Sequence, residues 1–361
     1  MLRVPGVFTA AGLAAAAGAL LLSQAAVGGS TSIRTVATHL NNPRGLELGA
    51  DGTLYIAEAG AAGKVKCLKG PEGRNCAGFS GAVIQVKDGQ QSVYASGFVS
   101  GGDPSGNFTT GIDDVAVSPG GTVYGIITAF GPNPNIIGPE GAAQLGQVLR
   151  IDRGRKTPIA NIAGYEFKNN PAHDNVDSNP YSILWTPSGL LVADAAGNDL
   201  LHVDRNGRVT TVATFLAQRF GPRAAQSVPT SIARGPDGAY YVGELGGGGT
   251  PAGKSRIWRV VPGEKATVWK TGFSAITGLA FGPDGSAYVS ELARGGLGAI
   301  FGPKHDLRGA LIRIWPDGHR TELAPGKLIA PAGVAVAPDN TVYVSVNSVF
   351  RNRGAVVAIA Q

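Results

Sequence analysis

Apolar residues alternate with small ones on both sides of a turn, and this pattern recurs six times along the chain. Within residues 276–291, Leu279 and Phe281 alternate with smaller residues until Pro283-Asp284-Gly285 interrupts the run, and a second alternating run follows. Proline fixes φ at the first turn position and glycine accepts a positive φ. The pattern therefore predicts two antiparallel strands joined by a tight turn.

The other five copies predict the architecture. Neighbouring copies are 47 to 69 residues apart, measured at the second turn residue. Each hairpin is followed by a third alternating strand, and five of the six are followed by a shorter fourth strand. Repeats of this kind are typical of propeller blades, so we predict an all-β, six-bladed β-propeller of four-stranded antiparallel blades. The other five copies occupy residues 43–58, 112–127, 180–194, 229–244 and 331–346.

The two ends of the repeat array complement each other. The last repeat stops after its third strand, GAVVAI at residues 354–359, whereas RTVATHL at residues 34–40 resembles a fourth strand without a blade before it. We expect the N-terminal strand to pair with the last blade, because this pairing closes the ring and removes an exposed sheet edge.

The composition agrees with one large all-β domain. The chain has 361 residues, 43% of them hydrophobic, and its 55 Gly and 23 Pro are interspersed with apolar strands. This distribution indicates many turns rather than disorder. The net charge of +6 is not concentrated in Lys/Arg runs, which argues against nucleic-acid binding.

The N-terminal segment has the outline of an export signal. Arg3 precedes an apolar Ala/Leu/Val run, and Ser23-Gln24-Ala25 offers small residues for cleavage. We expect residues 1–29 to be a signal peptide that is removed and residues 30–361 to be one propeller domain. The mature protein is then a secreted monomer, extracellular or in the cell envelope, with no stable membrane span. An uncleaved membrane anchor is the alternative, since about 20 apolar residues can span a bilayer.

Two cysteines, Cys67 and Cys76, lie in the first repeat. An exported chain meets an oxidising environment, so we predict a disulfide between them. A metal site is disfavoured because two thiols without a nearby histidine lack the usual ligand count.

Insertions concentrate in the first three repeats, at residues 59–80, 100–110, 130–145 and 164–182. The last insertion contains a dense polar cluster whose oxygen atoms suit Ca²⁺ better than a transition metal. The spacing matches no EF-hand loop, and an ordinary surface turn is the alternative. The cluster consists of Glu166, Asn169, Asn170, His173, Asp174, Asn175, Asp177 and Asn179.

Several stretches resemble one known family. NNPRGLELGADGTLYIAEAG, the DSNPY segment at residues 177–181 and the VPTS segment at residues 228–231 are similar to the ScyD/ScyE family of secreted propeller proteins. The resemblance covers about residues 33–359. It implies a six-bladed propeller of the NHL/TolB-like kind and export, and it implies no established reaction.

The residues that open the first strand of each blade are expected to line the central channel. They combine one cation, two acids, a phenol and hydroxyl groups, which predicts a site for a small molecule or a metal at the channel mouth. The alternative is that they satisfy backbone groups around a water-filled channel. The ring reads Arg44, Asp113, Tyr181, Thr230, Thr277 and Ala332, with Asn42, Asp114, Asn179 and Ser231 beside it.

A second set of equivalent positions ends the second strand of each blade. Four of the six are acids, which invites a calcium hypothesis. A position shared between repeats also favours a shared structural role, such as accepting backbone hydrogen bonds. The positions are Glu58, Ile127, Asp194, Glu244, Glu291 and Val346.

Two functions fit this sequence. The first, which we favour, is a non-catalytic protein that binds a small molecule or an extracellular partner. The second is a metal-dependent lactonase similar to gluconolactonase-type propellers, with Ca²⁺ held by Asp113, Asp177 and Asn179. The chain contains no G-x-S-x-G or H-E-x-x-H motif, and its five histidines are scattered, so the sequence assigns no catalytic residue.

Overall fold

The structure of this protein is a computed structural model that describes residues 32–70 and 73–361. The predicted signal peptide, residues 1–29, lies outside the described residues. Six antiparallel sheets follow one another along the chain, and each contains one predicted hairpin. The predicted six-bladed β-propeller is therefore confirmed.

Each blade begins with its inner strand, and four of the six blades have four strands in chain order. The six blades are built as follows. Blade 1 contains β2 (Pro43–Leu48), β3 (Leu54–Glu58), β4 (Lys66–Gly70), β5 (Gly73–Lys87) and β6 (Gln90–Gly102); blade 2 contains β7 (Ile112–Val117), β8 (Val123–Ile127), β9 (Gln147–Asp152) and β10 (Arg155–Asn161). Blade 3 contains β11 (Pro180–Thr186), β12 (Gly189–Asp194), β13 (Asp199–Asp204) and β14 (Val209–Thr214). Strands β15 (Gln218–Phe220) and β16 (Arg223–Ala225) form a separate small hairpin, and blade 4 contains β17 (Pro229–Arg234), β18 (Tyr240–Glu244), β19 (Ser255–Val260) and β20 (Thr267–Phe273). Blade 5 contains β21 (Ile276–Phe281), β22 (Ala287–Glu291), β23 (Ala310–Ile314) and β24 (Arg320–Leu323); blade 6 contains β25 (Val334–Val336), β26 (Val342–Val346) and β27 (Gly354–Ile359), completed by β1 (Ile33–Leu40).

The ring closes as the sequence predicts. Strand β1 pairs antiparallel with β27, from Ile33 opposite Ile359 to Leu40 opposite Gly354. The first described strand thus supplies the outer strand of the last blade, and its backbone groups are paired instead of being left as an open edge.

The turn chemistry recurs at the outer end of the inner hairpins. In blade 5, the Asp284 carboxylate accepts a hydrogen bond from the Ser286 amide at 2.9 Å, and Gly285 follows with φ of 80°. The Asp237 and Asp339 side chains accept equivalent bonds two residues on. These Asx turns fix the register of the strands and hence the face that each side chain occupies.

The core consists of apolar layers between neighbouring blades. One cluster joins blades 1 and 2 through residues such as Val83, Phe98 and Ile112, and a second joins blades 5 and 6 through Tyr288 and Val344. Each blade therefore buries both of its faces, which explains why the strands are apolar on both sides near the axis.

The insertions adopt structure that the repeat pattern does not predict. Residues 59–80 contribute β4 and a long extension of β5, which make blade 1 five-stranded. Short helices occupy other insertions: a 3₁₀ helix at Pro134–Ile137, then α1 (Pro139–Ala142), α2 (Ile162–Asn169) and α3 (Leu297–Phe301). No helix in the two described ranges is long and apolar enough to cross a membrane.

Candidate functional site

The central channel contains a cavity of about 260 Å³ that is lined by residues from all six inner strands. Five of these strands show a register shift near their first residues, for example between Ile112 and Asp114 and between Pro180 and Ser182. A shift of this kind bends a strand and re-aims its side chains. Four of the six predicted ring residues, Asp113, Tyr181, Thr230 and Thr277, line this cavity, whereas Arg44 and Ala332 are not part of its lining.

The two threonines of the predicted ring join neighbouring blades. The Thr230 hydroxyl donates to the Ile276 carbonyl at 2.6 Å, and the Thr277 hydroxyl donates to the Pro331 carbonyl at 3.0 Å. Each carbonyl belongs to the start of the next blade. These two hydroxyls thus satisfy backbone carbonyl groups, as expected if the ring has a structural role. Ala332 adds no polar group.

Arg44 and Asp113 form a buried pair at the inner end of the channel. Arg44 Nε lies 3.8 Å from Asp113 Oδ1, and Arg44 Nη2 donates to the Thr109 carbonyl at 2.7 Å. The Thr110 hydroxyl donates to Asp113 Oδ2 at 2.7 Å. Burial raises the pKa of Asp113 to about 6, although Arg44 acts in the opposite direction. Burial also raises the pKa of Tyr181, which lines the same cavity.

Asp114 connects three blades. Its Oδ2 atom accepts hydrogen bonds from the Ser182 hydroxyl at 2.8 Å and the Ile183 amide at 3.0 Å, both in blade 3. Its Oδ1 atom occupies the space beside Gly45 of blade 1. Burial raises the pKa of Asp114 to about 7 despite these hydrogen bonds, because removal of water disfavours the charged form.

Glu47 is a channel residue that the sequence reasoning missed. It lines the cavity, and burial, followed by repulsion from Asp114, raises the pKa of its carboxyl to about 8. Its side chain is only partly excluded from solvent, but protein surrounds it in a narrow channel. An alignment of the six hairpins could have revealed Glu47, because it is the one charged residue at its position. The equivalent residues are Ala116, Leu184, Ala233, Ala280 and Ala335.

Two of the three remaining predicted neighbours, Asn42 and Asn179, have structural contacts. The Asn42 amide donates to the Gly60 and Gly106 carbonyls, both at 2.8 Å, and Asn179 Oδ1 accepts from the Thr128 hydroxyl at 2.6 Å. The Ser231 hydroxyl is buried at the cavity wall and has no hydrogen-bond partner among the described residues. Of these three neighbours, Ser231 is the one with a free polar group for a ligand.

The acids that end the second strands stabilise the loop entering their own blade. Glu58 Oε1 accepts from the Asn41 amide at 2.5 Å, and Glu291 Oε1 accepts from the Ser274 amide at 2.8 Å. Asp194 and Glu244 accept in the same way, from the Ser178 and Ser227 hydroxyls respectively. The equivalent contacts support the structural interpretation of this set.

The polar cluster at residues 166–179 does not converge on one point. Asp177 and His173 are exposed, whereas Glu166 is fully buried and faces Asp199. The carboxyls of Glu166 and Asp199 interact with each other, and no other donor among the described residues reaches their four oxygens. Burial raises the pKa of both groups, and the nearby Asp194 adds to the effect.

The carboxylates do not form a recognisable metal centre. Within residues 32–70 and 73–361, no group of three or more His, Cys, Asp or Glu side chains could hold a metal ion. Of the predicted ligands, Asp113 is buried against Arg44, Asp177 is exposed and Asn179 is hydrogen-bonded to Thr128. The predicted calcium ligands therefore do not fit an ion site in this arrangement.

The predicted disulfide is confirmed. Cys67 and Cys76 are bonded to each other and pair directly across β4 and β5. The bond lies in the hairpin that extends blade 1, away from the inner strands.

Solved structures with the same fold include sugar-processing and calcium-binding proteins. A gluconolactonase from Xanthomonas campestris is 10% identical with a TM-score of 0.56, and the match covers 92% of this chain and 90% of that one. A PQQ-bound aldose sugar dehydrogenase from Streptomyces coelicolor is 14% identical, with a TM-score of 0.54 and coverage of 91% and 98%. A calcium-binding regucalcin from Agrobacterium tumefaciens is 16% identical, with a TM-score of 0.53 and coverage of 91% and 93%. At these identities the similarity shows the fold alone.

No protein-family model matches the chain, and no curated protein matches it.

Proposed function

We propose that this chain is a non-catalytic binding protein whose central channel holds a small molecule with an amine or several hydroxyl groups. One observation carries the proposal: the carboxyls of Glu47 and Asp114 line the same narrow cavity and repel each other. The buried cation Arg44 is paired with Asp113 and bonded to the Thr109 carbonyl. A ligand that brings positive charge or hydrogen-bond donors would therefore offset the cost of burying these carboxyls.

The two ends of the cavity suit this class of ligand. Tyr181 and the Ser231 hydroxyl, which has no hydrogen-bond partner within the described part of the chain, offer further polar contacts in the cavity. Leu184, Phe281 and Val336 line the cavity along the later residues of their strands and offer an apolar wall. Arg234 also lines the cavity but is exposed to solvent, so it leaves the Glu47 carboxyl without a buried countercharge.

We also propose that the protein belongs to the ScyD/ScyE type and is exported. The DSNPY and VPTS segments support the family, and the apolar N-terminal run supports export. The Cys67–Cys76 bond is the kind of cross-link that persists in oxidising compartments. Mass spectrometry of the protein from the medium and from membranes tests the proposal, which expects a soluble species that lacks residues 1–29. Recovery of the full-length chain in membranes alone would support the anchor instead.

Metal-dependent lactone hydrolysis is the second candidate, because a gluconolactonase shares the fold and three carboxyls lie near the channel. The donor set argues against it. Asp113 and Asp114 oxygens already accept hydrogen bonds from Thr110 and Ser182, so of these three carboxyls only Glu47 has no such partner within residues 32–70 and 73–361. We therefore place binding ahead of hydrolysis.

Calorimetric titration of the protein with 1,4-diaminobutane and, separately, with Ca²⁺ tests the channel. We expect the diamine to bind and the Glu47→Gln variant to weaken this binding about tenfold or more, since one carboxylate contact is lost. Glu264→Gln, which removes an exposed acid, is the matched control and should bind as the unaltered protein does. Stoichiometric Ca²⁺ together with chelator-sensitive hydrolysis of gluconolactone would overturn the choice in favour of the enzyme.

A further inference from the structure

A second cavity, of about 320 Å³, lies where the insertions of blades 1 and 2 meet. It is separate from the central channel and its lining is mainly apolar. Three insertions that the repeat pattern isolates, at residues 59–80, 100–110 and 130–145, all contribute to its wall. The volume falls at the small end of the range for ligand sites.

Apolar side chains from each insertion form the wall. Ile137 is buried at the base, Ile136 and Phe130 are half-buried, and Leu68 and Phe108 are 46% and 43% exposed. Single exposed apolar residues are common on protein surfaces, but Leu68 and Phe108 are exposed beside the same cavity. Together they form an apolar surface that a ligand could cover.

Phe108 is held against the cavity in a strained conformation. Its φ is 49°, in the left-handed region that bulky residues rarely adopt. Two hydrogen bonds fix the segment: the Phe108 amide donates to the Val349 carbonyl at 2.9 Å, and the Thr109 amide donates to Asn42 Oδ1 at 3.2 Å. Strain that is held in place by surrounding contacts is found preferentially at functional sites.

Glycine makes room for the second aromatic ring. A Cβ atom on Gly101 would lie 2.3 Å from Phe130 Cζ. Gly101 is paired with Thr110 through two backbone hydrogen bonds of 2.8 and 2.9 Å, so its backbone cannot easily retreat. The tip of the Phe130 ring can therefore approach the backbone closely at the side of the cavity.

The rim carries positive charge. Lys66 lines the cavity together with Leu68, two residues further along β4. Because side chains alternate along a strand, Lys69 lies on the other face of β4. Lys66 is exposed and has no carboxylate within salt-bridge distance among the described residues. An apolar wall with one cation at its edge is complementary to an amphiphile with an anionic group.

We propose that this second cavity binds a flat, apolar molecule that carries one acidic group, such as an aromatic carboxylate or sulfonate. The rings of Phe108 and Phe130 contact the flat body, and the Lys66 ammonium pairs with the acid. This site does not rest on the function proposed for the channel, and it assigns a role to insertions that the propeller fold does not need.

Fluorescence titration with 1-anilinonaphthalene-8-sulfonate tests the site, with N-phenyl-1-naphthylamine as the uncharged analogue. We expect one saturable site for each probe on the folded, disulfide-bonded protein. Phe108→Gly should weaken both probes about tenfold, since an aromatic contact is lost. Glycine accepts a positive φ, so the substitution relieves the backbone strain and the variant should still fold. Leu216→Ala, which removes a large apolar side chain that is 64% exposed and outside the cavity lining, is its control and should bind both probes normally.

The charge is tested by a second pair of variants. Lys66→Glu should weaken the sulfonate probe about tenfold and leave the uncharged analogue unchanged, whereas Lys69→Glu should change neither. Equal effects of Lys66→Glu and Lys69→Glu would show a general surface charge effect and overturn the proposal. Unchanged affinity of Phe108→Gly for both probes would also overturn the proposal.

Discussion

The Asp114 carboxylate lies where the side chain of residue 45 would begin. A Cβ atom built on Gly45 would be 1.7 Å from Asp114 Oδ1, far inside any permitted contact. Glycine at this position therefore allows a carboxylate from blade 2 to pass blade 1 and bond to Ser182 and Ile183 of blade 3. One missing methyl group thus permits a contact among three blades at the axis.

We expect Gly45→Ala to lower the free energy of unfolding by about 2–4 kcal/mol, because Asp114 must move and abandon its hydrogen bonds while still buried. Chemical denaturation measures the change. Gly248→Ala is the control, since a Cβ atom there meets nothing within 4 Å and its φ is not positive. An equal effect of the two substitutions would contradict the steric explanation. In an Asp114→Ala background, Gly45→Ala should cost less.

Glu47 should make the protein less stable as the pH rises. Its folded pKa of about 8 lies above its ordinary value of 4.5, so the folded state binds the proton more tightly than the unfolded state does. Its stabilising contribution is complete below about pH 4.5 and is lost as the pH rises to about 8. Glu47→Gln should therefore reduce the fall in unfolding free energy between pH 5 and pH 8 by roughly 3 kcal/mol. Chemical denaturation at the two pH values measures this fall. The same fall in the Glu47→Gln variant as in the unaltered protein would contradict the raised pKa of Glu47.

The buried pair Glu166–Asp199 predicts opposite effects for two similar substitutions. Asp199→Asn should raise the unfolding free energy at pH 8 by about 1–3 kcal/mol, because the buried Glu166 carboxyl then no longer faces a second buried carboxyl of like charge. Asp194→Asn should lower it by a similar amount, since the Asp194 carboxylate accepts bonds from Ser178, Asn179 and Gly197. Thermal unfolding at pH 8 separates the two, and destabilisation by both substitutions would refute the interpretation of the pair.

Breaking the Cys67–Cys76 bond should destabilise the β4–β5 hairpin. The two residues are nine positions apart, and a loop of this length corresponds to about 2–3 kcal/mol in the chain-entropy model. We expect reductant to increase hydrogen exchange in residues 66–77 and to weaken the fluorescent probes at the second cavity. The Cys67→Ser, Cys76→Ser double variant should respond to reductant in neither assay. A reductant effect in that variant would point to another cause.

Local pattern alone predicted most of the fold. Alternation and turn residues such as Gly285 and Gly238 specify hairpins within a few positions, and the missing outer strand of the last repeat specifies its partner at residues 34–40. The five-stranded first blade was not predicted. Lys66 to Gly70 is a short, basic run whose extended conformation depends on pairing with β5 and on the disulfide, which are contacts outside its own sequence.

The site was predicted less well, for two physical reasons. Thr230 and Thr277 lie at the axis, but their hydroxyls donate to carbonyl groups of the next blade. A sequence does not show whether a hydroxyl binds a ligand or the backbone of a neighbouring blade. Glu47 was missed because it sits within an alternating strand, where a charged residue is ordinarily assigned to solvent. In a closed propeller, the innermost strand of each blade borders the narrow channel. A charged side chain on this strand, such as Glu47, is therefore surrounded by protein.

Closure of the ring also sets an order of events for a growing chain. Strand β1 is synthesised before any blade, yet its partner β27 begins more than 300 residues later. The last blade cannot form until that distant segment is available, and closing so long a loop is entropically slow. Until then β1 is a free strand with unpaired backbone groups. Of the six described blades, the sixth alone needs both the first and the last described strand for its completion.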